Sequence, residues 1–183
     1  MQDHPHGLDI GPLKPNLAAR LKTADGQVQA APALLLNDLQ RFATQPAWVE
    51  GQLLLIGRRH VRSNNSWMHN YHRLVKGKPR HQLLMNPQDL ARRGLQDGQR
   101  VSVRSRVGVL EVEVLASAEM MPGVVSLPHG WGHGRPGVQM SIAQTTPGAS
   151  ANDLTDERLL DALSGNAAPV SYTHLRAHET RGN

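Results

Sequence analysis

Two stretches hold the groups that could do chemistry. The first, Gly57 to Trp67 (GRRHVRSNNSW), sets cations beside amides and hydroxyls. Gly57 allows close main-chain approach, Arg58 and Arg62 can pair with phosphate, and Ser63, Asn64, Asn65 and Ser66 offer adaptable hydrogen bonds. Arg59 ranks behind Arg58, because adjacent side chains diverge. A phosphorylated dinucleotide calls for this mixture: its pyrophosphate takes cations and amide donors, and its sugars and base take polar side chains. Charge-assisted hydrogen bonds contribute about 1.5–3 kcal/mol each, so a few can hold an anionic ligand tightly. A solvated basic loop is the plain alternative.

The second stretch, Pro128 to Gly134 (PHGWGHG), surrounds two histidines and a tryptophan with glycine. Such a loop can lay the amides around His129 and Gly130 against a flat ring while Trp131 covers its face. His129 and His133 have the spacing of a helical metal pair, but the glycines between and beside them oppose a helix, so no metal site is expected. The formal G-x-G-x-x-G at Gly132–Gly137 contains Pro136 and opens no amphipathic helix, which excludes a Rossmann fingerprint. Asn152 and Asp153 form a third candidate: the Asn152 side chain offers donor and acceptor together, or caps a short helix over Asp153–Leu163. His4, His6, His60, His69, His72 and His81 show no convergent ligand pattern. With no nucleophile elbow, Walker A loop or cysteine, no catalytic residue is expected in this chain.

The elements that position these loops read as short and mostly extended. Gln52–Ile56 is an apolar run between Gly51 and Gly57, consistent with a buried strand. Asn86 caps a helix predicted over Pro87–Arg93, with Pro87 at its first position and Gly94 as its left-handed stop. Val101 and Val103 alternate with polar residues, Ser105–Gly108 reverses the chain, and Leu110, Val112 and Val114 alternate on the return. A last strand, Gly123–Leu127, leads into the second loop. Residues 1–50, broken by Pro5, Pro12, Pro15, Pro32 and Pro46, read as an irregular connector, with one or two helical turns at Ala33–Leu39.

A hydrophobic content of 39% supports a core, while 17 glycines and 12 prolines point to many turns, so long helices should not dominate. The absence of cysteine excludes disulfides and iron–sulfur ligation by these residues. No secretory or membrane-spanning segment is evident, and a cytoplasmic location is expected. The net charge of +5 favours anionic partners, and a basic β-barrel module for nucleic acid or for protein interaction is the rival class. An aromatic content of 3% provides few platforms for stacking bases and counts against nucleic acid.

The segment from Pro169 to Thr180, PVSYTHLRAHET, resembles the translation of a sequencing-library adapter and continues into RGN. Residues 169–183 are therefore expected to be a disordered artefact, with Tyr172, His174 and His178 excluded as ligands and a sheet edge left unpaired. Without them the net charge is +4.

Taken in order, IGRR (Ile56–Arg59), NPQDL (Asn86–Leu90), GLQDGQRV (Gly94–Val101), PGVV (Pro122–Val125) and NDLT (Asn152–Thr155) resemble the carboxy-terminal domain of the molybdopterin oxidoreductases, the dimethyl sulfoxide reductase family that includes formate dehydrogenases and nitrate reductases. Two framework positions depart from that pattern, Ile56 where threonine is usual and Leu90 where alanine is usual. The resemblance covers about residues 52–168 and implies a mainly β domain with short helices, a double-psi β-barrel at 51–168 that is incomplete at its C-terminus. It further implies one side of a site for molybdopterin guanine dinucleotide carrying molybdenum or tungsten, with Gly57, Arg58, Arg59, Arg62, Asn64, Asn65, Ser66, His129, Gly130, Trp131, Asn152 and Asp153 as cofactor-binding residues. The metal ligand and any iron–sulfur cluster would then lie in upstream domains of the same enzyme, an electron-transfer subunit is a conceivable partner, and the segment alone would not turn over substrate.

Overall fold

The computed structural model describes residues 3–44, 51–166 and 174–179, the last as backbone. The chain divides into two compact units, Met1–Pro46 and Ala47–Asn183. In the first, α1 (Leu17–Arg20) is one turn, and α2 (Ala33–Ala43) has 11 residues, about three turns. α2 outlasts the expected one or two turns because no glycine or proline interrupts it and Asp38 and Arg41, 2.6 Å apart, brace successive turns. Among the described residues no helix is long and apolar enough to cross a membrane.

The second unit is a barrel of short strands: β1 (Leu53–Arg58), β2 (Gln82–Met85), β3 (Arg100–Arg104), β4 (Val109–Ala116), β5 (Val124–Pro128) and β6 (His174–Glu179). Their order around the barrel is β1-β5-β2-β4-β3-β6. β1 runs parallel to β5 and β2 parallel to β4; the other neighbours are antiparallel. Alternation decides what is buried. Val101 and Val103 of β3 and Leu110, Val112 and Val114 of β4 point inward, joined by Leu53, Leu55, Leu83, Met85, Val125 and Leu127.

A short helix, α3 (His72–Val75), interrupts the loop between β1 and β2. The helix read from its capping residues is present as α4 (Pro87–Arg92). Asn86 Oδ1 accepts a hydrogen bond from the Gln88 amide at 2.8 Å, and Gly94 takes a positive φ of 66° just past the end. Buried Asp89 accepts from the Gly123 amide at 2.6 Å and thereby ties the helix to the start of β5.

One expectation is corrected. The barrel is not left open at its C-terminal edge: residues 174–179 pair with β1 and with β3. A ladder requires only extended backbone opposite unpaired N–H and C=O groups, so the two edges accept this segment irrespective of its side chains. The rest of the segment expected to be disordered, 169–173 and 180–183, lies outside the described residues. The helix weighed for Asp153–Leu163 is also absent; a 3-10 turn at Ala151–Leu154 stands there, and Thr155 returns to extended backbone.

Candidate functional site

Because β1 and β5 are parallel and in register, with Gly57 opposite Leu127 and Arg58 opposite Pro128, the loops that leave them emerge side by side. The His129 amide donates to the Arg58 carbonyl at 3.2 Å and extends the pairing past both strand ends. Two stretches far apart in sequence thus share one rim. The 3-10 turn Ala151–Leu154 closes a third side, anchored by fully buried Leu154.

These segments enclose a cavity of about 330 Å³. Leu55, Ile56, Leu127 and Ala151 give it apolar walls, and Gly57, Arg59, His129, Asn152 and Thr155 supply its polar contacts. A second cavity of about 440 Å³, lined by Arg59, His60, Val61, Asn64, Asn65 and Met68, shares Arg59 with the first. Asn64 and Asn65 adopt left-handed backbone (φ 41° and 63°), which asparagine tolerates better than most residues. The two loops press together at Gly130, where an added Cβ would lie 2.5 Å from the Asn65 carbonyl oxygen.

The structure places the two adjacent arginines in different surroundings. The Arg58 guanidinium turns back across the sheet and donates to Ser126 O at 3.0 Å, Ser126 Oγ at 3.3 Å and Gln82 O at 2.9 Å. It links β1 to β5 and β2, and burial pushes its pKa below the ordinary guanidinium value. Arg59 is exposed, faces both cavities, donates to Asn65 Oδ1 at 2.8 Å, and has no carboxylate partner among the described residues. Strand alternation explains the difference: Leu53, Leu55, Gly57 and Arg59 share one face, and Arg58 follows Leu54 and Ile56 on the other. That parity was available in the sequence and bears on where each arginine lies.

Of the other candidates, Asn64, Asn65, His129 and Asn152 lie on the two cavities, while Arg62 and Ser66 line neither. Arg62 is exposed, and its main-chain amide donates to His60 Nδ1 at 3.1 Å. Asp153 pairs with Arg135. Trp131 is half-buried and lines neither cavity. It packs against His69, ring centroids 4.1 Å apart, and His81, 5.3 Å apart.

His69, one of the six histidines with no convergent pattern in the sequence, is the centre of a buried cluster. It is 1% exposed and shares a 2.8 Å hydrogen bond between its Nδ1 and His133 Nε2. Burial, reinforced by His133, holds its pKa down to about 4. Burial also lowers His81 and His133. No local sequence pattern announces this cluster, which forms when segments 64 residues apart meet. Among the described residues no group of three or more His, Cys, Asp or Glu side chains could hold a metal ion. Two imidazole nitrogens, His69 Nε2 and His129 Nε2, are buried without a partner. The second belongs to a residue on the cavity wall, where a bound group could satisfy it.

A family model described as the molydopterin dinucleotide binding domain matches residues 53–171. A tetrathionate reductase subunit from Salmonella typhimurium (strain LT2) is 39% identical over 61 residues, covering 33% of this chain and 6% of that protein. The solved structure of acetylene hydratase from Pelobacter acetylenicus aligns with 79% of this chain and 20% of its own at a TM-score of 0.55 and 20% identity, a likeness of fold. The chain therefore spans only a small part of the length of these relatives.

Proposed function

The chain belongs to the molydopterin dinucleotide binding domain family, and from that premise we propose that the paired cavities around Arg59 receive the dinucleotide end of a molybdopterin cofactor. The guanine dinucleotide form carrying molybdenum or tungsten is the proposed species. The observation that carries this assignment is the pairing of an uncompensated guanidinium with a buried, partnerless His129 Nε2 on one rim.

The residues present fit such a group. An unsatisfied buried polar atom costs about 1–3 kcal/mol, a deficit that a ligand's hydrogen-bonding group removes. Arg59 would meet the pyrophosphate, Asn64 and Asn65 would take sugar or base hydroxyls and amides, and Asn152 would offer donor and acceptor from the opposite wall. Leu55, Ile56 and Leu127 exclude water from the flat part of the ligand. Arg58 is proposed to hold the strands rather than the phosphate.

When bound, the cofactor supplies the redox or Lewis-acid chemistry of the metal, and the protein supplies binding and orientation. The proposed whole is a larger molybdopterin oxidoreductase in which the preceding domains hold the metal and any iron–sulfur cluster, with an electron-transfer subunit as a proposed partner. Parallel pairs β1–β5 and β2–β4 within an otherwise antiparallel barrel support the double-psi topology proposed for it. The nucleic-acid alternative is not favoured, since the family match accounts for the basic loop.

The test is a titration of the chain with guanosine 5′-diphosphate, a probe with nucleoside and pyrophosphate but no pterin. Loss of one charge-assisted contact in Arg59→Ala is expected to weaken binding about ten- to a hundredfold. Equal affinity of wild type and Arg59→Ala would refute the assignment.

A further inference from the structure

We infer that the tip of the β3–β4 hairpin, Arg106 to Gly108, is a positioning element for the ligand cavity: it seats the 151–154 turn and so fixes Asn152 on the wall. This rests on the binding function proposed above. Asn152 is exposed on the cavity side, and its side-chain amide has no partner among the described residues, so its value to a ligand depends on how firmly the turn is held. A four-residue 3-10 turn holds itself poorly: it is little more than one turn long, and the amide hydrogen bonds from Asp153 to Ser150 O (3.0 Å) and from Thr155 to Asn152 O (3.1 Å) stand at its two ends.

The hairpin supplies what the turn lacks. At Gly108 a Cβ would collide with the Asp153 carbonyl oxygen, so main chain lies directly on main chain and any side chain there must displace the turn. At Arg106 the guanidinium grips Asp156 through both carboxylate oxygens, Nε to Oδ2 and Nη2 to Oδ1 at 2.5 Å, and reaches Glu157 at 3.4 Å. Asp156 is 5% exposed and also accepts from the Arg158 amide at 2.9 Å. That bidentate grip holds the Asp156 pKa down to about 2. From the other side Arg135, on the loop that follows His129, pairs with Asp153. The turn is thus clamped between the hairpin tip and the His129 loop, over the buried Leu154.

The test compares Arg106→Gln and Gly108→Ala with Arg104→Gln, an exposed strand arginine that makes no ion pair among the described residues. Amide hydrogen exchange at Asp153 and Thr155 is expected to quicken about tenfold in the first two, with Val101, Val112 and Val114 unchanged and Arg104→Gln like wild type. Guanosine 5′-diphosphate binding should weaken about three- to tenfold, the share of one hydrogen bond, and Asn152→Ala should abolish any further effect of Arg106→Gln. Where Arg106→Gln unfolds the barrel, Arg106→Lys, which retains the charge without the fork, serves for the same comparison. Unaltered exchange in the turn, equal acceleration of turn and core amides, or full affinity with a loosened turn would each overturn the inference. Failure of wild type to bind the probe would refute the binding function instead, and the exchange data would still decide whether the hairpin seats the turn.

Discussion

Replacing Arg58 by alanine separates the two roles an arginine at the end of β1 can have. In the structure its guanidinium makes two well-formed bonds to main-chain carbonyls, at 3.0 and 2.9 Å, and a weaker one to Ser126 Oγ at 3.3 Å. Hydrogen bonds to charged groups contribute about 1.5–3 kcal/mol each, and the side chain is only half-buried, so the lower end applies to two of them and the loss should be about 2–4 kcal/mol. For a barrel unit of this size, 1 kcal/mol moves Tm by about 3–5 °C, which predicts a fall of roughly 10 °C. Thermal unfolding followed by circular dichroism reads this directly, and titration with guanosine 5′-diphosphate at a temperature where the variant is folded should give near wild-type affinity. Arg59→Ala should do the reverse, leaving Tm within about 1 °C and losing the probe, as expected of an exposed side chain with one neutral partner. An Arg58→Ala variant with unchanged Tm and lost binding would refute the division of labour between the two arginines.

Gly130→Ala and Gly137→Ala share an unfavourable positive φ (87° and 86°), but only at Gly130 does the new Cβ meet a neighbouring carbonyl, so thermal melts should show about 1–2 kcal/mol lost at 137 and clearly more at 130. His69 has a folded pKa of about 4 against an ordinary 6.5, so unfolded chains bind its proton first: stability should be full above pH 6.5 and decline as pH falls toward 4, and His69→Gln should flatten that limb in urea titrations. Asp156, held at about 2 chiefly by Arg106 and also by the Arg158 amide, contributes stability above about pH 4 that is lost as pH falls toward 2, and Arg106→Gln should shrink that lower limb.

What the sequence made legible is what is local. Asn86, Pro87 and Gly94 specify α4 to within a residue, and the alternation of Val101, Val103, Leu110, Val112 and Val114 specifies the β3–β4 hairpin, because caps and period-two burial act over a few residues. The order of the five short motifs specified the family. Hidden from it were pairings across long separations: the parallel β1–β5 register, the His69–His133 bond and the clamp of Arg106 on Asp156. The packing of Trp131 against His69 and His81 shows the same limit, since it too joins distant segments. The place of Arg59 on both cavities is of a different kind, recoverable from strand parity that runs through Leu53, Leu55 and Gly57.

The most direct test of the account is to record amide chemical shifts of the wild-type chain as guanosine 5′-diphosphate is added. The account predicts that Gly57, Arg59, Asn64, Asn65, His129 and Asn152 move together and saturate with one dissociation constant. Shifts confined to other surfaces, such as α4 or the 3–44 segment, or none at millimolar probe, would contradict it.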